Sequence, residues 1–156
     1  MQIEIRRATP DDVPALVEFN LAMALETESL ELSEETLTAG VRHLFESPQY
    51  GFYVVAEDAD ADGRPLAAGS MMFTYEWSDW RDGLFWWVQS VYVRPEYRRR
   101  GVYRSLYDYA RREAARDPRV RGFRLYVERE NRVAQQTYER LGMAETHYKM
   151  FEELLV

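Results

Sequence analysis

The sequence predicts a mixed α/β domain whose central, mostly antiparallel sheet of about six to seven strands is flanked by about four helices on both faces. Three observations predict it. Strand-like and helix-like periodicities follow one another in the order β-α-α-β-β-β-α-β-α-β. Three successive strands are joined by tight connections, which suits an antiparallel meander, and a later β-α-β crossover demands at least one parallel pair. The length of 156 residues is that of one unit able to bury a core, so a single domain over residues 1–156 is expected.

Each element has its local reason. Ile3 and Ile5 alternate with polar neighbours and read as a first strand. Thr9-Pro10-Asp11-Asp12 opens a helix: Thr9 is a cap, Pro10 fits the first turn, and the aspartates suit the positive end. Val13, Leu16, Val17, Leu21 and Ala24 form its apolar stripe. Ser33-Glu34-Glu35 begins a second helix burying Leu37, Val41, Leu44 and Phe45, and Ser47-Pro48 ends it. Phe52–Ala56 and Leu66–Tyr75 read as strands around an acidic hairpin loop closed by Asp62-Gly63, with Gly69 as a bulge position. Leu84–Val93 is the strongest strand in the chain. A helix runs from about Gly101 to Arg116, a strand covers Phe123–Val127, and Asn131 caps a helix closed by Gly142. A last strand is expected over Glu145–Phe151.

Composition excludes several classes of function. There is no cysteine, hence no disulfide, thiolate metal site or cysteine nucleophile. His43 and His147 are the two histidines and lie far apart in sequence, so no metal site is expected. The net charge of −7 argues against general nucleic-acid binding, which needs surplus positive charge. No apolar run approaches the ~20 residues of a membrane helix, and no apolar stretch follows a basic head near Met1, so neither membrane nor export is expected and the default location is the cytoplasm.

Chemistry concentrates between Val91 and Leu106. A buried strand ends at Val93, an arginine-rich loop follows, and a helix starts at Gly101. Helix N-termini expose backbone N–H groups and partial positive charge, so a glycine there among Arg98, Arg99, Arg100 and Arg104 makes a cradle for a phosphate or diphosphate. Neither G-x-x-x-x-G-K-[ST] nor G-x-G-x-x-G is present, so the phosphates need not belong to a nucleoside triphosphate or a nicotinamide cofactor.

Val91-x-Val93-x-Pro95 followed by Arg98-Arg99-Arg100-Gly101-Val102-Tyr103 resembles the acetyl-CoA-binding motif of the GNAT superfamily of N-acetyltransferases. The stretch Asn131 to Met143, with Tyr138 ahead of Leu141-Gly142-Met143, resembles the family's second signature, and the element order resembles its fold along the whole chain. One departure is Tyr103, where the family usually has glycine or alanine.

The resemblance implies an enzyme that moves an acetyl group from acetyl-CoA directly to a primary amine. By that likeness Val91, Tyr92 and Val93 would pair with the pantetheine arm, and Arg98, Arg99, Arg100, Gly101, Val102, Tyr103 and Arg104 would hold the diphosphate. Asn131 and Ala134 would lie near the pantetheine end, with Asn131 also a plain helix cap, and Tyr138 would be the general acid for the departing thiolate. The position matching the glutamate base of several members is Gln89, which cannot take a proton; Glu128 and Glu26 are the alternative carboxylates. Glu26-Thr27-Glu28, together with Phe73-Thr74-Tyr75 and Trp80, is similar to spermidine/spermine-type acetyltransferases and implies a cationic acceptor, a polyamine or an amino-acid-like amine. Trp77, Trp80, Trp86 and Trp87 are candidates for an aromatic wall, for core or for a homodimer interface. Two other readings stand beside this one: a non-catalytic acyl-CoA-binding module, and an acetyltransferase of protein N-termini.

Overall fold

The computed structural model describes residues 2–155. Five strands and four helices are present among the described residues: β1 Glu4–Arg7, α1 Val13–Glu28, α2 Glu34–Glu46, β2 Gly51–Ala59, β3 Pro65–Ser78, β4 Gly83–Val93, α3 Val102–Ala115, β5 Val120–Arg124 and α4 Arg132–Arg140. The sheet order is β1-β2-β3-β4-β5, antiparallel except for the parallel β4–β5 pair. The backbone falls into two compact units, Met1–Leu125 and Tyr126–Val156. The first holds the whole sheet with α1 to α3; the second holds α4 and the C-terminal segment.

The mixed α/β class is as expected, with five strands in place of six to seven. The last two strand expectations differ from what forms: one is shifted, and the other, which lowers the count, is not a strand. β5 begins at Val120 and ends at Arg124, ahead of the expected Phe123–Val127. Residues 145–151 form no strand in spite of their alternation. Strand pairing needs a ladder to a neighbour, and among its described residues the second unit contains no other strand to supply one.

Alternation along the strands sends side chains to the two faces of the sheet. On one face Tyr53 and Val55 meet Val13, Leu16 and Val17 of α1 and Val41 and Leu44 of α2, with Met72 beside them. On the other lies an aromatic core: Phe73 packs on Phe52 and Trp86, and Phe123 packs edge-on against Trp86 and Tyr107 of α3. A short 3₁₀ turn, Pro10–Asp12, precedes α1. Thr9 is its N-cap, as expected, and Asp12 accepts from the Thr9 N–H at 2.7 Å and from Arg6 at 2.8 Å. The acidic hairpin loop forms as its composition predicts. Asp60 Oδ1 accepts from the N–H groups of Asp62 and Arg64, and Gly63 turns the chain at φ 77°.

Two irregularities shape the part of the sheet that matters for function. Ala56 faces Gly69 but Glu57 faces Ala67, so β3 carries an extra residue beside Gly69, the position expected to bulge. A Cβ on Gly69 would stand 2.7 Å from the Tyr92 carbonyl oxygen, which explains the glycine. Further along, Ser70 pairs with Tyr92 while Met72 pairs with Gln89. Two steps on β3 match three on β4, a bulge that places Ser90 at φ 40°.

Candidate active site

The bulge coincides with the parting of two strands. The parallel ladder between β4 and β5 ends at Trp87 and Arg124, whereas β4 runs on to Val93. The Arg94 N–H donates to Ala68 O of β3 at 2.9 Å. Backbone groups alternate sides along a strand, so Tyr92 turns its own toward β3, and Val91 and Val93 turn theirs to the edge that β5 has left. An extended amide-bearing chain fits that edge as an added strand would.

The loop after β4 is held in place before it delivers its arginines. Tyr97 of the 3₁₀ turn Pro95–Tyr97 is buried, and its hydroxyl donates to Asp58 Oδ2 at 3.1 Å. Arg94 donates to Ala67 O at 2.7 Å and pairs with Glu18 of α1 at 2.8 Å. Arg99 at φ 59° and Gly101 at φ 79° then turn the chain sharply into α3. Gly101 is the N-cap residue, and α3 has no side-chain cap hydrogen bond. Ser105 N–H is bonded to Gly101 O, so the helix leaves Val102, Tyr103 and Arg104 with N–H groups that no intrahelical carbonyl takes. A Cβ built on Gly101 meets nothing within 4 Å beyond its chain neighbours, so the space beside this helix start is open. The Tyr103 hydroxyl is buried. Arg99, Arg100 and Arg104 are exposed, Arg104 with Asp108 at 3.8 Å. Open donors, a helix dipole and local arginines are what a diphosphate needs.

Arg98 takes a different course. Its Nε donates to Val93 O at 2.9 Å, its Nη2 donates to Glu26 Oε2 at 2.7 Å, and its guanidinium lies 5.4 Å from the Tyr92 ring centroid. The Tyr92 hydroxyl donates to the other Glu26 oxygen at 3.1 Å. Burial first, and then the Glu26 carboxylate, push the Tyr92 phenol above its ordinary value, which keeps it a donor. Thus Glu26, expected at the acceptor lip, is tied to the loop expected at the donor. Thr27 turns its hydroxyl back to Met23 O at 2.8 Å, and Glu28 is exposed at the end of α1.

On the α1/α2 side of the sheet, Gln89 donates through Nε2 to Thr74 Oγ1 at 3.3 Å. Two residues further along β3, Glu76 accepts from Trp87 Nε1 at 3.1 Å and from Arg124 at 2.7 Å. Thr74 belongs to the Phe73-Thr74-Tyr75 stretch expected on the acceptor side, whereas Glu76 and Arg124 are not singled out by the sequence. The hairpin register, which pairs Thr74 with Trp87 and Met72 with Gln89, is the signal that would have put them on one face.

The four tryptophans do not form one wall. Trp86 and Trp87 are successive residues and face opposite sides of the sheet; Trp86 is core. Trp77 and Trp80 lie at the β3–β4 hairpin tip, 60% and 87% exposed. From Gly83 to Ser90 the strand advances about 23 Å, so Trp80 stands far from Glu26 and the bulge.

In the second unit, Asn131 Oδ1 accepts from Ala134 N–H at 3.2 Å and caps α4. Tyr138 shares a half-buried face of α4 with Ala134. The Glu128 carboxylate accepts from the Glu130 N–H at 2.8 Å.

The profile of a known family, described as acetyltransferase (GNAT) family, matches residues 19–143. The chain belongs to that family. A possible acetyltransferase from Clostridium difficile 630 is 42% identical, with a TM-score of 0.88 over 100% of this chain and 99% of that one. More distant structures share the fold. An AAC(6')-Iy complexed with the bisubstrate analogue CoA-S-monomethyl-acetylneamine is 18% identical, with a TM-score of 0.76 and full coverage of both chains. A predicted acetyltransferase from Clostridium acetobutylicum, solved with acetyl-CoA, is 16% identical at a TM-score of 0.77, covering 99% of this chain and 97% of that one. No curated protein sequence matches the chain. The open N–H groups and the exposed arginines at the start of α3 fit a diphosphate.

Proposed function

We propose that this acetyltransferase moves the acetyl group of acetyl-CoA to a primary amine of a small cationic acceptor, polyamine or amino-acid-like, by direct attack. The observation that carries the reading is the free β4 edge at Val91 and Val93 leading straight into the uncapped N-terminus of α3. The edge receives the amides of the pantetheine arm, and Gly101 to Arg104 receive the diphosphate. Together they fix the thioester near the Ser90 bulge.

Acetyl-CoA supplies an activated carbonyl. The amine nitrogen forms the new C–N bond, the C–S bond breaks with its electron pair going to sulfur, the ammonium nitrogen loses a proton and the thiolate gains one. Tyr138 is the acid proposed for the thiolate. A phenol near pKa ~10 keeps its proton at neutral pH and shares it with a leaving thiolate. Gln89 offers no base, and Glu128 is the carboxylate proposed for the ammonium proton, through water. No covalent enzyme intermediate is required, in keeping with a chain that has no cysteine.

Coenzyme A release measured against separate polyamines, amino acids, aminoglycosides and peptides tests the reading. Turnover with small cationic amines is expected. Donor binding without turnover on any amine would favour the acyl-CoA-binding module, and turnover on peptides alone would favour N-terminal acetylation.

A further inference from the structure

We infer that Glu26 is a switch set by the donor: Arg98 and Tyr92 occupy its carboxylate until the diphosphate of acetyl-CoA draws Arg98 away, and the released carboxylate then receives the cationic amine. The inference rests on the proposed reaction and concerns the order in which its site is assembled.

Three features of the geometry lead to it. First, Arg98 lies across places the donor needs. Its Nε occupies Val93 O, a carbonyl of the free β4 edge, and its backbone belongs to the diphosphate loop. The arriving donor must displace that bond to pair with the edge, and it brings a diphosphate for the guanidinium to bind instead. Second, the bond holding Arg98 to Glu26 is an ion pair with both side chains about two-fifths exposed, 43% and 42%, and such pairs exchange at low cost. Third, Glu26 does not leave with Arg98. Two turns before Glu26, α1 is moored to β4 by the stack of Phe19 on Tyr92 at 5.2 Å and to the residue after β4 by Glu18 on Arg94 at 2.8 Å. Tyr92 keeps one hydrogen bond to Glu26, and the other oxygen is left facing the β4 edge without its cation. That oxygen suits an ammonium or a secondary amine cation. Coupling of this kind is reciprocal, so amine and donor strengthen each other's binding.

The test uses coenzyme A as the probe in calorimetry on the intact chain, with melting temperatures as a check of folding. Glu26→Gln removes a competitor for Arg98, so coenzyme A is expected to bind roughly two- to five-fold more tightly than to the wild type. The same variant is expected to raise KM for the best amine of the acceptor panel at saturating acetyl-CoA while leaving kcat within about two-fold. Unchanged or weaker coenzyme A binding by Glu26→Gln overturns the switch, since Glu26 would then be orienting Arg98 for the phosphates. Tighter coenzyme A binding with an unchanged amine KM overturns it too, because the freed carboxylate would have no amine to receive. Failure of the wild type to bind coenzyme A is a different result and refutes the proposed function itself.

Discussion

Gly101 separates what the backbone needs from what a ligand needs. At φ 79° it is left-handed, and a Cβ added there meets no protein atom within 4 Å beyond its chain neighbours. Gly63, in the β2–β3 hairpin loop, has nearly the same geometry, φ 77° with open space, but no helix N-terminus beside it. Alanine at either position should therefore cost the same left-handed penalty, about 1–2 kcal/mol. In a chain of this size that lowers Tm by roughly 2–8 °C. Only Gly101→Ala also puts a methyl group at the mouth of the α3 donors. Losing one charge-assisted hydrogen bond costs about 1.5–3 kcal/mol, which is on the order of ten- to a hundred-fold in Kd. The assay is calorimetric titration of acetyl-CoA beside thermal unfolding for both variants. Matching Tm losses with a weakened Kd in Gly101→Ala alone is the expected pattern. If the two variants bind acetyl-CoA equally well, the α3 N-terminus is not the phosphate site and the argument from the open cap fails.

Three further outcomes are expected. Tyr138→Phe should lower kcat by roughly 10²–10⁴-fold in steady-state assays while acetyl-CoA affinity and Tm hold; near-full turnover would leave Tyr138 a packing residue. Burial pushes the Tyr53 phenol up to about 12, so the wild type should lose stability as pH rises from 10 toward 12, where the unfolded chain ionises first; Tyr53→Phe should show a flatter alkaline melting profile. Burial raises the Asp12 carboxyl, but Arg6 and Thr9 outweigh it and hold the group below its usual range, so its contribution is present above pH ~3.9 and lost as pH falls through the folded value. Asp12→Asn should accordingly melt lower at pH 7, by roughly 1–3 kcal/mol of stability, with the gap to wild type closing below about pH 4.

Features set by local backbone chemistry were legible in the sequence. Gly101 had to be small and left-handed to turn a strand into a helix. Asn131 had to cap α4, and Asp60 to Arg64 had to reverse a hairpin, because side chains of those types satisfy nearby N–H groups or tolerate positive φ. The order of elements followed from periodicity, since each period exposes one face to be buried. The residues 145–151 show the limit of that reasoning: alternation predicts a strand, yet pairing is a property of two segments.

What only the tertiary structure decided is a matter of register and of long-range partners. The Ser90 bulge exists because β3 and β4 fall out of step between Met72 and Ser70, and no residue near Ser90 announces it. The β4 edge is free because β5 leaves at Arg124, 37 positions further along the chain from Trp87. Glu26 reads as an exposed carboxylate at a helix end, and in the fold it is bound to an arginine 72 positions away. A side chain's type records what its own backbone requires; which charge it meets depends on how helices and strands pack, and packing is a property of the whole chain.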